Sequence, residues 1–120
     1  MGYKFTVLVV DDNPGILEMM ADILDEMDFK ATTVRDGYQA IEIMKNGSFD
    51  AVMMDLRMPG IDGIETLKRI KETKPGAKVI LMTAYASDDT VLAAQKAGAS
   101  TVLYKPIDLD KIEALLRERE

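Results

Sequence analysis

The sequence has no cysteine and no histidine among its 120 residues. Without thiols, the chain cannot form disulfide bridges, thiolate nucleophiles or zinc–thiolate sites. Without imidazole, it lacks the commonest general base and the commonest transition-metal ligand, and it cannot carry a phosphohistidine of its own. Any metal site must therefore use oxygen ligands, which favour hard cations such as Mg²⁺.

Clustered positive charge and long apolar runs are also missing. The chain has 15 Lys and Arg against 21 Asp and Glu, a formal net charge of −6. That balance argues against direct binding of nucleic acid, because phosphate backbones attract clustered Lys and Arg. No apolar run is long enough to cross a bilayer, and the N-terminus has no signal-peptide pattern. We therefore expect a cytoplasmic protein with no direct nucleic-acid or membrane partner.

Apolar material for one core is present. Hydrophobic residues make up 48% of the chain and charged residues 30%. A length of 120 residues is typical of a single compact domain. No linker, repeat or low-complexity segment divides the chain, so we predict one domain over residues 1–120.

Short apolar runs alternate with amphipathic segments five times along the chain. Strands are predicted at 6–10, 31–34, 51–54, 78–82 and 101–104. Helices are predicted at 16–27, 37–46, 63–74, 88–97 and about 108–119, with Asp62, Asp88 and Asp108 as N-caps. Three of the strands are continuously apolar, which is typical of strands covered by helices on both faces. The pattern predicts an α/β domain of the doubly wound (βα)₅, flavodoxin-like type, with a five-stranded parallel sheet.

Polar side chains follow four of the five predicted strands. Asp11 and Asp12 follow the first strand, Asp55 the third, Thr83 the fourth and Lys105 the fifth. Ligands of doubly wound sheets bind at the carboxyl ends of the strands, so these side chains are expected to meet at one rim. Taken singly, each residue has an ordinary structural explanation. The aspartates fit turns or helix caps, Thr83 fits a strand residue bonded to the backbone, and Lys105 fits a surface loop. Their joint placement is what favours a functional site.

The chemistry of this set favours phosphoryl transfer to an aspartate. Neighbouring carboxylates repel one another unless a cation lies between them, and Mg²⁺ prefers oxygen ligands in octahedral geometry. Phosphoryl transfer depends mainly on positioning and charge neutralisation. An ionised aspartate is already a nucleophile, so no general base is required.

Five segments carry a resemblance to a known family. They are VLVVDDNPGI (7–16), DAVMMDLRMPGIDGIE (50–65), VILMTAY (79–85), AGAS (97–100) and LYKPID (103–108). Together they resemble the response-regulator receiver domains of two-component signalling, over essentially the whole chain. Within that family, the strings MTAY and KPIDLDKI are especially similar to receivers of the sporulation phosphorelay and of enhancer-binding regulators. The motifs are specific as a set and weak singly.

The resemblance implies an acceptor and a metal site. Asp55 would accept a phosphoryl group from a histidine kinase or a histidine phosphotransfer domain. Asp12 would bind Mg²⁺ directly, Asp11 mostly through water, Asp55 through its carboxylate and Arg57 through its backbone carbonyl, with Mn²⁺ as a substitute ion. Gly63, together with the Pro-Gly pair at 59–60, would shape the loop after the third strand.

The resemblance also implies how the signal leaves the site. Thr83 and Lys105 would contact the phosphoryl oxygens, and the Lys105–Pro106 bond would be cis. The surface of the fourth helix, fifth strand and fifth helix would then signal to a partner, to an output domain or to a second copy in a homodimer. Beyond its own phosphorylation and slow autodephosphorylation, the domain would not be an enzyme. The sequence fits both a stand-alone relay protein and a piece of a longer regulator or hybrid kinase.

Some positions are individual to this chain. Many receivers carry an aromatic residue where Val102 stands, and Tyr104 on the same strand face either replaces it or only packs. Arg57 and Tyr85 lie two residues after Asp55 and Thr83, where their side chains are expected to shield the phosphoryl group and slow its hydrolysis. Ala84 is small and would leave partners room to reach the acceptor.

Three other classes of protein share part of this pattern. A haloacid-dehalogenase-like phosphatase would place a second Asp where Arg57 stands. A dinucleotide-binding enzyme would have a glycine-rich fingerprint after the first strand, which is missing. A degenerate receiver that binds partners without phosphorylation would lack acidic positions that are intact in this chain.

Overall fold

The structure is a computed structural model that describes residues 5–117. Strands and helices alternate throughout this range. They are β1 (Phe5–Val10), α1 (Pro14–Glu26), β2 (Phe29–Val34), α2 (Gly37–Asn46), β3 (Ala51–Asp55), α3 (Gly63–Thr73), β4 (Val79–Thr83), α4 (Asp88–Lys96), β5 (Thr101–Tyr104) and α5 (Leu109–Arg117). Among these described residues, no helix is both long enough and apolar enough to cross a membrane.

The strands form one parallel sheet in the order β2-β1-β3-β4-β5. The chain moves outward from β1 to β2, then returns past β1 to β3, so the strand order reverses beside β1. Doubly wound sheets bind ligands at the carboxyl ends of the strands flanking such a reversal. The predicted fold class is confirmed, and the reversal places the crevice at the ends of β1 and β3.

The sheet is buried on both faces. Alternate residues of β1 show this clearly: Val7 and Val9 belong to the core layer beneath α1 and α5, whereas Leu8 and Val10 belong to the layer beneath α2, α3 and α4. Successive side chains of a strand point to opposite faces. This is the physical reason for the uninterrupted apolar runs in the sequence.

Two of the three predicted N-caps agree with the structure. The Asp62 carboxylate accepts a backbone hydrogen bond in the first turn of α3, and the Asp108 carboxylate accepts two at the start of α5. The prediction of Asp88 as the cap of α4 was wrong. Ser87 is the extended residue before the helix, and its hydroxyl accepts the Thr90 N–H at 3.2 Å. Asp88 lies in the first turn, where its charge favours the positive end of the helix dipole.

The strand boundaries shift slightly from the prediction. β2 begins at Phe29, two residues early, because that side chain is fully buried and Phe29 pairs with Phe5. β1 also begins one residue early, at Phe5. β3 extends to include Asp55, and β4 is displaced by one residue, from 78–82 to Val79–Thr83, so that Thr83 ends it. The predicted end of the last helix, at residue 119, lies outside the described residues.

Candidate functional site

Three aspartates converge at the carboxyl rim of the sheet. Asp11 and Asp12 follow β1, and Asp55 ends the neighbouring strand β3. One carboxylate oxygen from each lies within 4.8 Å of the others. Asp11 is 1% exposed and Asp55 8%, whereas Asp12 is exposed. The predicted acidic cluster is therefore present, and its oxygen atoms suit a hard divalent cation.

The turn after β1 explains the placement of Asp11. Its N–H donates to the Val34 carbonyl at 3.2 Å, which extends the β1–β2 ladder by one residue. Its Oδ1 atom then accepts the Asn13 N–H at 2.9 Å, which fixes the chain as it turns toward α1. Asn13 in turn caps α1. Asp11 is therefore held by backbone contacts beneath the more accessible Asp12.

Lys105 brings a cation into the acidic cluster. Its Nζ atom lies 3.3 Å from Asp11 Oδ2 and 3.6 Å from Asp55 Oδ1. The Lys105 N–H also donates to the Thr83 carbonyl at 2.8 Å, so the residue continues the β4–β5 pairing past the end of β5. The Lys105–Pro106 peptide bond is cis, in agreement with the expectation from sequence.

The charge balance of the site remains negative. Burial raises the pKa of Asp55 above its ordinary value, and the neighbouring Asp11 and Asp12 carboxylates raise this pKa further. The Lys105 ammonium and the Arg57 backbone N–H lower the same pKa without cancelling the rise. One ammonium faces three carboxylates, so a divalent cation would relieve repulsion that Lys105 alone does not.

Thr83 lies at the rim but its hydroxyl bonds to its own loop. The hydroxyl donates to the Tyr85 carbonyl at 2.9 Å and accepts the Tyr85 N–H at 3.2 Å. The residue is 1% exposed. Thr83 and Tyr85, with Asp55, Arg57, Ala84 and Lys105, line a cavity of about 350 Å³. The cavity thus brings together the predicted acceptor, the hydroxyl and the ammonium.

A short closed loop follows Asp55 and carries Arg57. The Gly63 N–H donates to the Leu56 carbonyl at 2.8 Å, which closes the loop at its base. A Cβ atom at Gly63 would lie 2.7 Å from the Asp55 carbonyl oxygen and 2.9 Å from the Leu56 Cα, so a side chain has no room there. The predicted role of Gly63 in shaping this loop has a steric basis.

A surface cleft beside the acidic cluster was not predicted from the sequence. Asp12, Arg35, Tyr38 and Gly60 are among the residues that line a surface cleft of about 620 Å³ next to the acidic cluster. Sequence reasoning considered only the ends of the first, third, fourth and fifth strands, and so passed over the residues after β2. The signal available was the Asp-Gly-Tyr string at 36–38, directly after that strand.

Val102 and Tyr104 are the two positions considered for an aromatic residue that moves on switching. Val102 is partly buried against the core layer under α2, α3 and α4. Tyr104 pairs with Thr83 across β4 and β5, and it is 50% exposed. The aromatic ring therefore faces outward beside the strand that carries the hydroxyl. Its role in switching stays a prediction.

A parallel α/β sheet with an acidic cluster, an ammonium and a buried hydroxyl at one rim defines a phosphoacceptor class of domain. The comparisons with known proteins agree. A family model of the response regulator receiver domain matches residues 7–117. The transcriptional regulatory protein ZraR of Klebsiella oxytoca is 40% identical over 117 residues, which are 98% of this chain and 26% of that protein. Sporulation initiation phosphotransferase F of Bacillus subtilis is 34% identical over 112 residues, 93% of this chain and 90% of that protein.

Solved structures give the same result. The receiver domain of sensor histidine kinase PA1611 from Pseudomonas aeruginosa, with a magnesium ion coordinated in its active site cleft, superposes with a TM-score of 0.87 at 28% identity, covering 98% of this chain and 97% of that one. The beryllofluoride-activated NtrC4 receiver domain dimer superposes with a TM-score of 0.88 at 32% identity, covering 95% and 94%.

This chain belongs to the response regulator receiver domain family. It is a phosphoacceptor switch domain of two-component signalling, as the sequence predicted. The chain spans about a quarter of the length of the ZraR regulators that it matches, and most of the length of the sporulation phosphotransferase.

Proposed function

We propose that Asp55 is the phosphoacceptor, and that the donor is a phosphohistidine on a histidine kinase or a histidine phosphotransfer domain. The observation that carries this proposal is the position of Asp55. It ends a central strand, shares the acidic cluster with Asp11 and Asp12, and has the Lys105 ammonium 3.6 Å away. These are the parts that phosphoryl transfer to a carboxylate needs.

The same carboxylates would hold the metal. We assign Asp11, Asp12, Asp55 and the backbone carbonyl of Arg57 as the residues around Mg²⁺, with Mn²⁺ as a substitute ion. Bound Mg²⁺ would supply neutralisation of the incoming phosphoryl charge. The negative balance of the site and the magnesium ion described for the PA1611 receiver support this assignment.

The transfer itself exchanges one bond for another. The phosphorus–nitrogen bond of the donor breaks, and a bond forms between phosphorus and an Asp55 carboxylate oxygen. The released imidazole nitrogen takes a proton from solvent. Lys105 and Thr83 then contact phosphoryl oxygens, for which the Thr83 hydroxyl must leave the Tyr85 carbonyl that it bonds in this structure.

Movement of Thr83 connects the site to an output surface. The loop after Thr83 runs directly into Ser87, the cap of α4, and Thr83 pairs with Tyr104 of β5. Phosphorylation would therefore shift the population of the α4–β5–α5 surface. Leu92 and Tyr104 on this surface are 49% and 50% exposed. We propose that it contacts a partner, an output domain or a second copy of the chain.

We further propose that residues 1–120 act as one receiver unit in the cytoplasm. The unit would catalyse only its own phosphorylation and slow dephosphorylation. The breadth of the family match, residues 7–117, supports the single unit.

Intact-mass measurement tests the proposal. Incubation with acetyl phosphate and Mg²⁺ should add one labile phosphoryl group, and both chelation of the metal and Asp55→Asn should prevent the addition. Retention of the added mass in Asp55→Asn would place the acceptor elsewhere. Sustained release of phosphate from many phosphomonoesters would favour the phosphatase class.

A further inference from the structure

We infer that Tyr38 is a positioning residue for the metal site. Its ring packs against Gly60 and holds the loop between β3 and α3 in the conformation that presents the Arg57 carbonyl. This inference rests on the proposed function, since it concerns the metal that Asp11, Asp12 and Asp55 would hold. It adds a residue from α2, an element that contributes no side chain to the acidic cluster.

The contact between Tyr38 and Gly60 is close. Gly60 has φ +84°, a left-handed conformation that glycine adopts without strain. A Cβ atom at this position would lie 3.1 Å from Tyr38 Cε2 and 3.7 Å from Cδ2. The aromatic ring therefore occupies the space beside the Gly60 main chain, and a side chain at residue 60 would crowd the ring and strain the left-handed backbone.

A second contact lies next to the first. A Cβ atom at Gly37 would lie 2.8 Å from Ile61 Cγ1 and 2.1 Å from Thr66 Oγ1. The first two residues of α2, Gly37 and Tyr38, thus contact consecutive residues of the loop, Ile61 and Gly60. The start of α2 is itself fixed, because Asp36 caps the helix through a 2.8 Å hydrogen bond.

These contacts complete the fixation of the loop. Its base is closed by the hydrogen bond between the Gly63 N–H and the Leu56 carbonyl. Its tip is held by α2 through Gly60. Arg57 lies between base and tip, and its side chain is exposed, so the position of its backbone carbonyl depends on the conformation of the loop. A preorganised carbonyl ligand strengthens metal binding because less order must be imposed when the ion arrives.

The exposure of Tyr38 separates this role from ordinary packing. The residue is 54% exposed and lines the cleft beside Asp12. Substitutions at exposed positions usually change stability little. A loss of metal affinity on removal of the ring would therefore reflect the loop and not the fold.

Magnesium titration followed by amide NMR, together with thermal unfolding, tests this inference. The variants are Tyr38→Ala, Tyr38→Phe and, as a matched control, Met19→Ala, which removes a similarly exposed apolar side chain (51%) from α1. Tyr38→Ala should weaken Mg²⁺ affinity about tenfold, the lower end of what residues behind a metal ligand contribute. Tyr38→Phe and Met19→Ala should bind like the wild type. The Gly63 amide of the metal-free protein, whose hydrogen bond to the Leu56 carbonyl closes the loop, should exchange its hydrogen faster in Tyr38→Ala and at the wild-type rate in Tyr38→Phe.

The outcomes are distinguishable. Absence of Mg²⁺ binding by the wild type would overturn the proposed function. Normal binding by the wild type with equal binding by Tyr38→Ala would overturn the inference alone. Equal weakening in Tyr38→Phe would also overturn it, since the ring would still be present. Gly60→Ala provides a second approach that leaves Tyr38 intact: the added methyl group strains the left-handed backbone and crowds the ring, so binding should weaken, and unchanged binding would contradict the inference.

Discussion

The two rims of the sheet use the same residue types in opposite ways. At the amino rim, Asp50 Oδ2 accepts the Thr6 N–H at 2.7 Å, and the Lys78 ammonium donates to the Leu115 carbonyl of α5. At the carboxyl rim, Asp55 and Lys105 instead lie beside two further carboxylates, the buried Asp11 and the exposed Asp12. The described contacts of the charged groups at the amino rim thus go to the backbone and tie segments together, whereas at the carboxyl rim three carboxylates share one ammonium.

The difference between the two rims shows which contacts stabilise the fold of this domain and which destabilise it. A charged group bonded to a backbone dipole stabilises the fold. Carboxylates held beside one another destabilise the metal-free fold, and in the proposed function they would bind a cation and receive a phosphoryl group. Functional sites commonly break the rules of stability that the rest of the fold obeys.

Exchanging one aspartate at each rim gives the largest expected contrast. Asp55→Asn should abolish phosphorylation by acetyl phosphate and raise the thermal midpoint of the metal-free protein, because the raised pKa of Asp55 means that the fold disfavours its charge. Asp50→Ala should leave phosphorylation intact and lower the free energy of unfolding by about 2 kcal/mol through lost hydrogen bonds to a carboxylate. Intact mass and urea unfolding measure the two effects. Destabilisation by Asp55→Asn would break the comparison.

The two lysines offer the next contrast. Lys105→Met should slow phosphorylation about 100-fold, the usual effect of removing one electrostatic group from a transfer site. Lys78→Met should leave the rate unchanged and lower the free energy of unfolding by about 1–3 kcal/mol, because the Leu115 carbonyl loses its donor. The rate of phosphorylation by acetyl phosphate at saturating Mg²⁺ and the unfolding curve are measured for both variants. Similar losses of rate in both would contradict the assignment of separate roles to the two rims.

The pH dependence of the free energy of unfolding gives a further test of the difference between the two rims. The folded protein holds a proton on Asp55 to higher pH than the unfolded chain does, because the pKa of this group is near 3.8 in the unfolded chain and is raised on folding. The folded state therefore binds more protons in this window, and the contribution of Asp55 to stability falls as pH rises from about 3.8 through the raised pKa. Urea unfolding of the metal-free protein across acidic pH should show this component, and Asp55→Asn should lack it.

At neutral pH, Mg²⁺ at 100 times its Kd should add about 2.7 kcal/mol to the free energy of unfolding of the wild type.

The smallest expected effect concerns access of water to the acceptor. Arg57 lines the cavity at Asp55, so Arg57→Ala should speed loss of the phosphoryl group about twofold to fivefold, equivalent to roughly 0.4–1 kcal/mol of barrier. Arg69→Ala, which removes an exposed arginine from α3, is the matched control and should not change the rate. Decay followed by intact mass measures both, and equal decay in wild type and Arg57→Ala would show that the side chain does not shield the group.

Much of this site could be predicted because strand ends are visible in sequence. Asp11, Asp55, Thr83 and Lys105 each follow or end an apolar run, and a parallel sheet brings such ends to one rim. The cap of α4 could not be chosen this way, since serine and aspartate both favour caps and stand side by side at 87–88. The backbone conformation, extended at Ser87, decided it.

Contacts between a helix and a distant loop could not be predicted from sequence patterns. The packing of Tyr38 on Gly60 depends on how the start of α2 and the loop after β3 approach each other in space, and no periodicity encodes that approach. The early start of β2 likewise depends on the burial of Phe29 by distant residues. Sequence patterns report local propensity and the faces of elements, and these features arise from tertiary packing.

The hydroxyl of Thr83 has a consequence for the order of events in time. It both donates to and accepts from the backbone of Tyr85, so the resting loop is closed on itself before any phosphoryl group arrives. Opening it breaks hydrogen bonds whose net contribution is about 1 kcal/mol each. In the proposed function, we therefore expect chemistry at Asp55 and relaxation of the loop to be separate kinetic steps, and a partner that binds the loop to respond to the second step, after the phosphoryl group is in place.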